Sequence, residues 1–190
     1  DSVNISGALI NSSVDFQSGD EQFTLSVDST SSTIIGGDGN DTLIFSSTLT
    51  SSSVVGGDGN DLISFAINVG VSNTIDAGAG ADTLVFSSTV SAASVVGGGG
   101  NDSFSFGNSV LTTTLLGGAG ADTLSVAVDF LNSSLNMGAG ADSVFFSTTV
   151  SATTIVGGAD NDSISFGTSA SVTASAISLD SGADSIVFTG

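Results

Sequence analysis

Apolar side chains recur along this chain in pairs separated by a single residue. The pairs are Val3 and Ile5, Phe23 and Leu25, Leu43 and Phe45, Ile63 and Phe65, Leu84 and Phe86, Phe104 and Phe106, Leu124 and Val126, Val144 and Phe146, Ile164 and Phe166, and Ile186 and Phe188. Ser or Thr usually stands before each pair. Period-two alternation over so few residues predicts a short strand with one face buried. A second apolar seat, filled by Val14, Ile34, Val54, Ile75, Val95, Leu115, Leu135, Ile155 and Ile177, predicts another strand in every unit. A third seat holds Leu9, Leu49, Val69, Val90, Val110, Phe130 and Val150, and is broken at Ser29 and Ala170. Gly, Ser and Thr interrupt every window long enough for a helix, so the fold class is all-β.

The pairs keep step with acids. Each follows a carboxylate by two and four residues: Asp1, Glu21, Asp41, Asp61, Asp82, Asp102, Asp122, Asp142, Asp162 and Asp184, at steps of 20, 20, 20, 21, 20, 20, 20, 20 and 22. A unit of this size with two short strands cannot bury its apolar face alone, whereas stacked copies can. The chain is therefore expected to form one repetitive domain over residues 1–190. That domain is a right-handed parallel β-solenoid, or β-roll, of ~20 residues per turn, with nine turns plus a partial tenth. A flattened roll with two main sheets is expected, with seven of the 12 Phe in one internal stack. Neither end reads as a cap, and the chain opens on Asp instead of Met. It is thus expected to be a segment or subunit of a larger assembly, partnered by other copies of itself or by flanking repeats.

Charge changes the picture. There are 19 acids and no Lys, Arg or His, giving a net charge of −19. No internal salt bridge is possible away from the amino terminus. Nucleic acid is excluded as a partner, because phosphate recognition rests on basic side chains. No apolar run reaches the ~18–20 residues of a membrane span, so membrane insertion is not expected. His, Cys, Lys and Tyr are all absent, which removes the usual bases and nucleophiles and argues against an enzyme.

Each acid closes a Gly-rich stretch: GGDGND (36–41 and 56–61), AGAGAD (77–82), GGGGND (97–102), GGAGAD (117–122), MGAGAD (137–142), GGADND (157–162) and LDSGAD (179–184). Such stretches make tight turns with accessible carbonyls. Stacking places the acids in a column. Unit charges ~4.8 Å apart repel by ~0.9 kcal/mol in water and ~3.5 kcal/mol at an effective dielectric of 20. An external cation between rungs offsets this, and an all-oxygen donor set suits Ca²⁺ over Mg²⁺ or Zn²⁺. The alternative is a column of Asx-type turns, each Asp accepting backbone N–H bonds without metal. Asp38 and Asp58 are expected to face water.

GGDGNDTLI (36–44), GGDGNDLIS (56–64), GGGGNDSFS (97–105) and GGAGADTLS (117–125) resemble the RTX, or haemolysin-type, calcium-binding nonapeptide. The resemblance implies Ca²⁺ between stacked turns. It implies as ligands the side chains of Asp41, Asp61, Asp82, Asp102, Asp122, Asp142, Asp162 and Asp184. Carbonyls would come from Gly36, Gly37, Gly39, Gly56, Gly57, Gly59, Gly78, Gly80, Gly97, Gly98, Gly100, Gly117, Gly118, Gly120, Gly138, Gly140, Gly157 and Gly158. It also implies export by bacteria, to the extracellular space or cell surface.

Here the motif occurs once per turn. The opposite corner is Ser/Thr-rich, as in SSTLT (46–50), SSTVS (87–91) and STTVS (147–151), so one row of ions is expected instead of two. In this the chain is similar to repetitive regions of bacterial surface adhesins. The expected function is a non-catalytic, calcium-stabilised structural rod: an adhesin stalk, surface layer or matrix fibre. A self-assembling filament subunit and an ice- or polysaccharide-binding module are the alternatives. Weaker or absent ions are expected at both ends, where the turns are irregular.

Overall fold

The computed structural model describes residues 2–189; Asp1, aligned above with the other carboxylates, lies outside them. Among the described residues there is no helix, and hence none long and apolar enough to cross a membrane. The chain is a stack of parallel rungs. One sheet has ten strands, from Ser2–Ile5 to Ser185–Phe188, ordered as they occur in the chain. A second has nine, from Ser13–Asp15 to Ala176–Ser181. Equivalent residues pair throughout, for example Leu43 with Ile63 and Phe45 with Phe65. This is the expected β-solenoid.

The coil has a third face, where two main sheets were expected. Two-residue strands such as Leu9–Ile10, Leu49–Thr50, Val110–Leu111 and Val172–Thr173 stack into sheets of three and five strands. Val69 joins the two by bridges to Leu49 and Val90. Each such strand is just long enough to carry one inward side chain, so sequence alternation could not reveal it.

The register also locates the longer steps. Leu49 pairs with Val69, but Ser53 pairs with Thr74, so the single extra residue lies between Val69 and Thr74, where Val71 is exposed. Phe146 pairs with Phe166 and Val150 with Val172, which puts the two extra residues between Phe166 and Val172. Val172, not Ala170, therefore takes the third apolar seat in that rung.

The seats read as apolar are buried from Phe23 to Phe166 and form one continuous core. Identical side chains in register fall directly over one another. Phe45, Phe65, Phe86 and Phe106 stack with centroids 4.8, 5.1 and 4.6 Å apart. The expected single stack is two. Val126 interrupts it, because rings two rungs apart (~9.6 Å) are beyond contact. Stacking resumes through Phe146, Phe166 and Phe188, with Phe130 leaning on Phe146 from the third face. Aromatic pairs of this kind add ~0.5–1.5 kcal/mol each beyond the area they bury.

At the Ser/Thr corner one non-glycine residue per rung adopts positive φ, including Asn11, Ser51, Ala92, Thr112 and Asn132. The next residue points inward. Thr113 is buried, donates its hydroxyl to the Leu111 carbonyl at 2.8 Å, and donates its N–H to Ser133 Oγ at 3.1 Å. The run Thr112–Thr114 thus sends its side chains in different directions and supplies no flat threonine array of the kind ice binding requires. Outward seats of the ten-stranded sheet carry no charge in any rung. The acids are concentrated at the turns and in the column described next.

Candidate metal centre

Each column carboxylate stands where the second sheet turns into the first. Asp41, Asp61, Asp82, Asp102, Asp122, Asp142 and Asp162 are all buried, none more than 3% exposed. Their Oδ1 atoms form a ladder. The N–H of Asp41 donates to Asp61 Oδ1 at 2.8 Å, that of Asp61 to Asp82 at 2.8 Å, and that of Asp82 to Asp102 at 2.9 Å. The series continues through Asp122 and Asp142 to Asp162, whose N–H donates to Asp184 Oδ1 at 2.9 Å. It opens with the Glu21 N–H on Asp41 Oδ1. These bonds cross between rungs instead of closing each Asp's own turn. The N–H donors bring the acids together at the repeat spacing despite their like charge.

The second oxygen is different. Oδ2 of Asp41, Asp61, Asp82, Asp102, Asp122, Asp142 and Asp162 is buried and has no hydrogen-bond partner. Burying an ionised oxygen without a partner is costly, and the group answers by shifting its pKa. Burial pushes Asp61 and Asp142 up to about 6 and Asp102 to about 7, from an ordinary 3.8. Asp82, Asp122 and Asp162 are raised by the same cause. The N–H from the preceding rung opposes the rise. Neighbouring acids reinforce it at Asp61, Asp102 and Asp142.

The glycines account for where Oδ2 points. Five residues before each column acid, one backbone seat faces inward, and the strand pairing passes over it: Ile35 pairs with Val55 and Gly37 with Gly57, but Gly36 and Gly56 are not paired. A Cβ on Gly36, Gly56, Gly97 or Gly117 would stand within 2.6 Å of two oxygens. One is Oδ2 of that rung's acid (Asp41, Asp61, Asp102 or Asp122). The other is the carbonyl of the same seat one rung on (Gly56, Ala77, Gly117 or Met137). Here glycine leaves a cradle bounded by an unpartnered carboxylate oxygen and a carbonyl.

The other glycines serve the backbone. Gly37, Gly57, Gly78, Gly98, Gly118, Gly138 and Gly158 have φ between 109° and 126°. A Cβ on any of them would overlap the carbonyl of the equivalent residue in the preceding rung. Gly39, Gly59, Gly80, Gly100, Gly120 and Gly140 are similarly constrained, and the N–H of Gly59, for instance, bonds the Ala79 carbonyl at 2.7 Å. Asp160 replaces glycine at this seat in the rung after Gly140 and holds φ at 79°, a conformation costing a side-chain-bearing residue ~1–2 kcal/mol.

Among the described residues no three acidic side chains converge on one point, so a cation here would draw on backbone carbonyls as well. The donors on offer are all hard oxygens, several unpartnered and all buried. They fit Ca²⁺, which accepts irregular cages of carboxylates and carbonyls, and offer nothing to a metal that prefers nitrogen or sulfur. Asp38 and Asp58 lie outside the cradle, side by side and exposed. Asp184 is only half-buried.

Sequence reading missed a second ladder on the outer side of the turn. The N–H of Asn60 donates to Asn40 Oδ1 at 2.8 Å, Ala81 to Asn60 at 2.7 Å, Ala121 to Asn101 at 2.8 Å and Ala183 to Asn161 at 2.8 Å. It runs opposite to the carboxylate ladder, each side chain accepting from the rung that follows. The signal was the choice between GND and GAD. Rungs following Ala81, Ala121 and Ala141 lack this bond for want of an acceptor.

The family model described as RTX calcium-binding nonapeptide repeat (4 copies) matches residues 24–47, 52–65, 72–88, 113–126 and 151–168. No curated protein and no solved structure matches the chain.

Proposed function

Because the chain carries RTX calcium-binding nonapeptide repeats on a β-solenoid, we propose that it is a non-catalytic, calcium-stabilised structural rod of a secreted or cell-surface protein. The observation that carries this is the row of seven buried Oδ2 atoms with no partner, in a chain that has no cationic side chain to give them. Asp41, Asp61, Asp102 and Asp122, with carbonyls of the inward seats, would hold the ions. Bound Ca²⁺ supplies positive charge between rungs, and the chain's own N–H ladder sets the spacing of the acids. The absence of His, Cys, Lys and Tyr supports a passive role.

Extracellular calcium modules bind with Kd of ~10⁻⁴–10⁻³ M. Calorimetric titration of calcium-stripped protein with CaCl₂ is expected to give saturable binding in that range, with no matching response to MgCl₂. The absence of saturable calcium binding would refute the proposal. Nanomolar affinity would argue against a calcium-rich exterior.

A further inference from the structure

The inward seat is not uniform, and its variation has an order. Along the rod it reads Phe16, Gly36, Gly56, Ala77, Gly97, Gly117, Met137, Gly157 and Leu179. Glycine pairs alternate with residues that carry side chains. Ala77 and Met137 are wholly buried, so carbon occupies in those rungs the space that is bounded by oxygen in their neighbours. Phe16 and Leu179 are partly buried against the core, the Phe16 ring 5.4 Å from that of Phe23. Beside Gly157 the three nearest atoms all belong to Asp162, and no carbonyl of the next rung is among them. Among the described residues, complete cradles thus stand only at Gly36, Gly56, Gly97 and Gly117.

We infer that this chain holds calcium in two separated pairs instead of one ion per rung, and that Ala77 and Met137 are the residues that divide the row. The inference rests on the calcium reading above. The first pair sits at the cradles of Gly36 and Gly56, the second at those of Gly97 and Gly117. Divalent ions one rung apart repel four times as strongly as unit charges at the same spacing. An unbroken row would accumulate that repulsion along the rod. A side chain after every second cradle limits each ion to one close neighbour. The carbonyls of Ala77 and Met137 still face the preceding cradle, so these residues close one pair while excluding an ion from their own rung.

Native mass spectrometry of the full chain in calcium counts the ions. Four are expected in the unmodified protein, three in Gly36→Ala and five in Ala77→Gly. In Gly36→Ala the new Cβ requires the Asp41 carboxylate and the Gly56 carbonyl to shift, as the rung of Ala77 already allows; Ala77→Gly adds no atom and tests the division without that shift. More than four ions in the unmodified protein would overturn the division into pairs, as would a count that neither variant changes. Both results leave the calcium reading intact. A count of zero would overturn that reading as well.

Discussion

Stripped of calcium, the protein is expected to melt ~10 °C or more below its temperature in 10 mM CaCl₂, followed by far-UV circular dichroism. At ten to a hundred times its Kd, the range that 10 mM spans, a ligand stabilises the folded state by ~1.4–2.7 kcal/mol per site. At four cradles the sum is ~6–11 kcal/mol, and each kcal/mol moves the melting temperature of a chain this size by ~2–4 °C. The effect is large because the site is not an appendage. The acids that would bind the ions are the same residues whose Oδ1 atoms tie each rung to the one before. Loss of the ions leaves the ladder in place but exposes it to repulsion among buried carboxylates. Melting temperatures within ~2 °C of each other with and without calcium would contradict this account.

The calcium-stripped protein is expected to lose stability as pH rises, with melting at pH 5 at least ~10 °C above that at pH 8. The direction follows from proton binding. Asp61, Asp102 and Asp142 titrate near 3.8 when exposed but at about 6, 7 and 6 in the fold. Between about pH 4 and 7 the folded chain therefore holds protons that the unfolded chain has released, and stability falls across that window. A carboxyl displaced by one pH unit is worth ~1.4 kcal/mol, and several carboxyls act together. In saturating calcium the trend should flatten or reverse, because ions compete with protons for the same oxygens. Thermal melts from pH 5 to 8 in the two conditions check both halves. A stripped protein that is indifferent to pH would show that the buried acids are stabilised by something other than protons or metal.

Much of the fold was legible because each rung obeys the same packing constraint. The residues two and four places after each acid face a core shared with the neighbouring copies, so their alternation survives in the sequence. The third face was harder to read. Its strands are two residues long, so Leu9, Leu49 or Val110 registers as a recurrent apolar position without the alternation that marks a strand. Ala170 was misassigned because a two-residue insertion before Val172 shifts the count without disturbing the pattern around it.

The site divided along similar lines. The column of acids could be read from its spacing, and their need for a partner from the composition. Their orientation could not. Whether Oδ2 faces the core or the solvent depends on the inward turn of the backbone five residues earlier. The usual occupant there is glycine, which contributes nothing to a hydropathy pattern. Phe16, Ala77, Met137 and Leu179 stand where other copies of the motif have Gly. Their shared seat became visible only once Gly36 and Gly56 were seen to face Asp41 and Asp61. The Asn ladder was hidden for a related reason. Asn and Ala are both small and compatible with the turn, but Asn40, Asn60, Asn101 and Asn161, like Asp20 in the same seat, reach the next rung's N–H and Ala does not.

A cation held inside the Gly-rich edge, between stacked rungs, is the centre of the account. Crystals grown in CaCl₂ and measured at a long X-ray wavelength address it directly through an anomalous difference map. Peaks are expected in line along the inner side of that edge, beside Oδ2 of Asp41, Asp61, Asp102 and Asp122. A map with no peak near those atoms, or with peaks only at the outer carboxylates of Asp38 and Asp58, would contradict it.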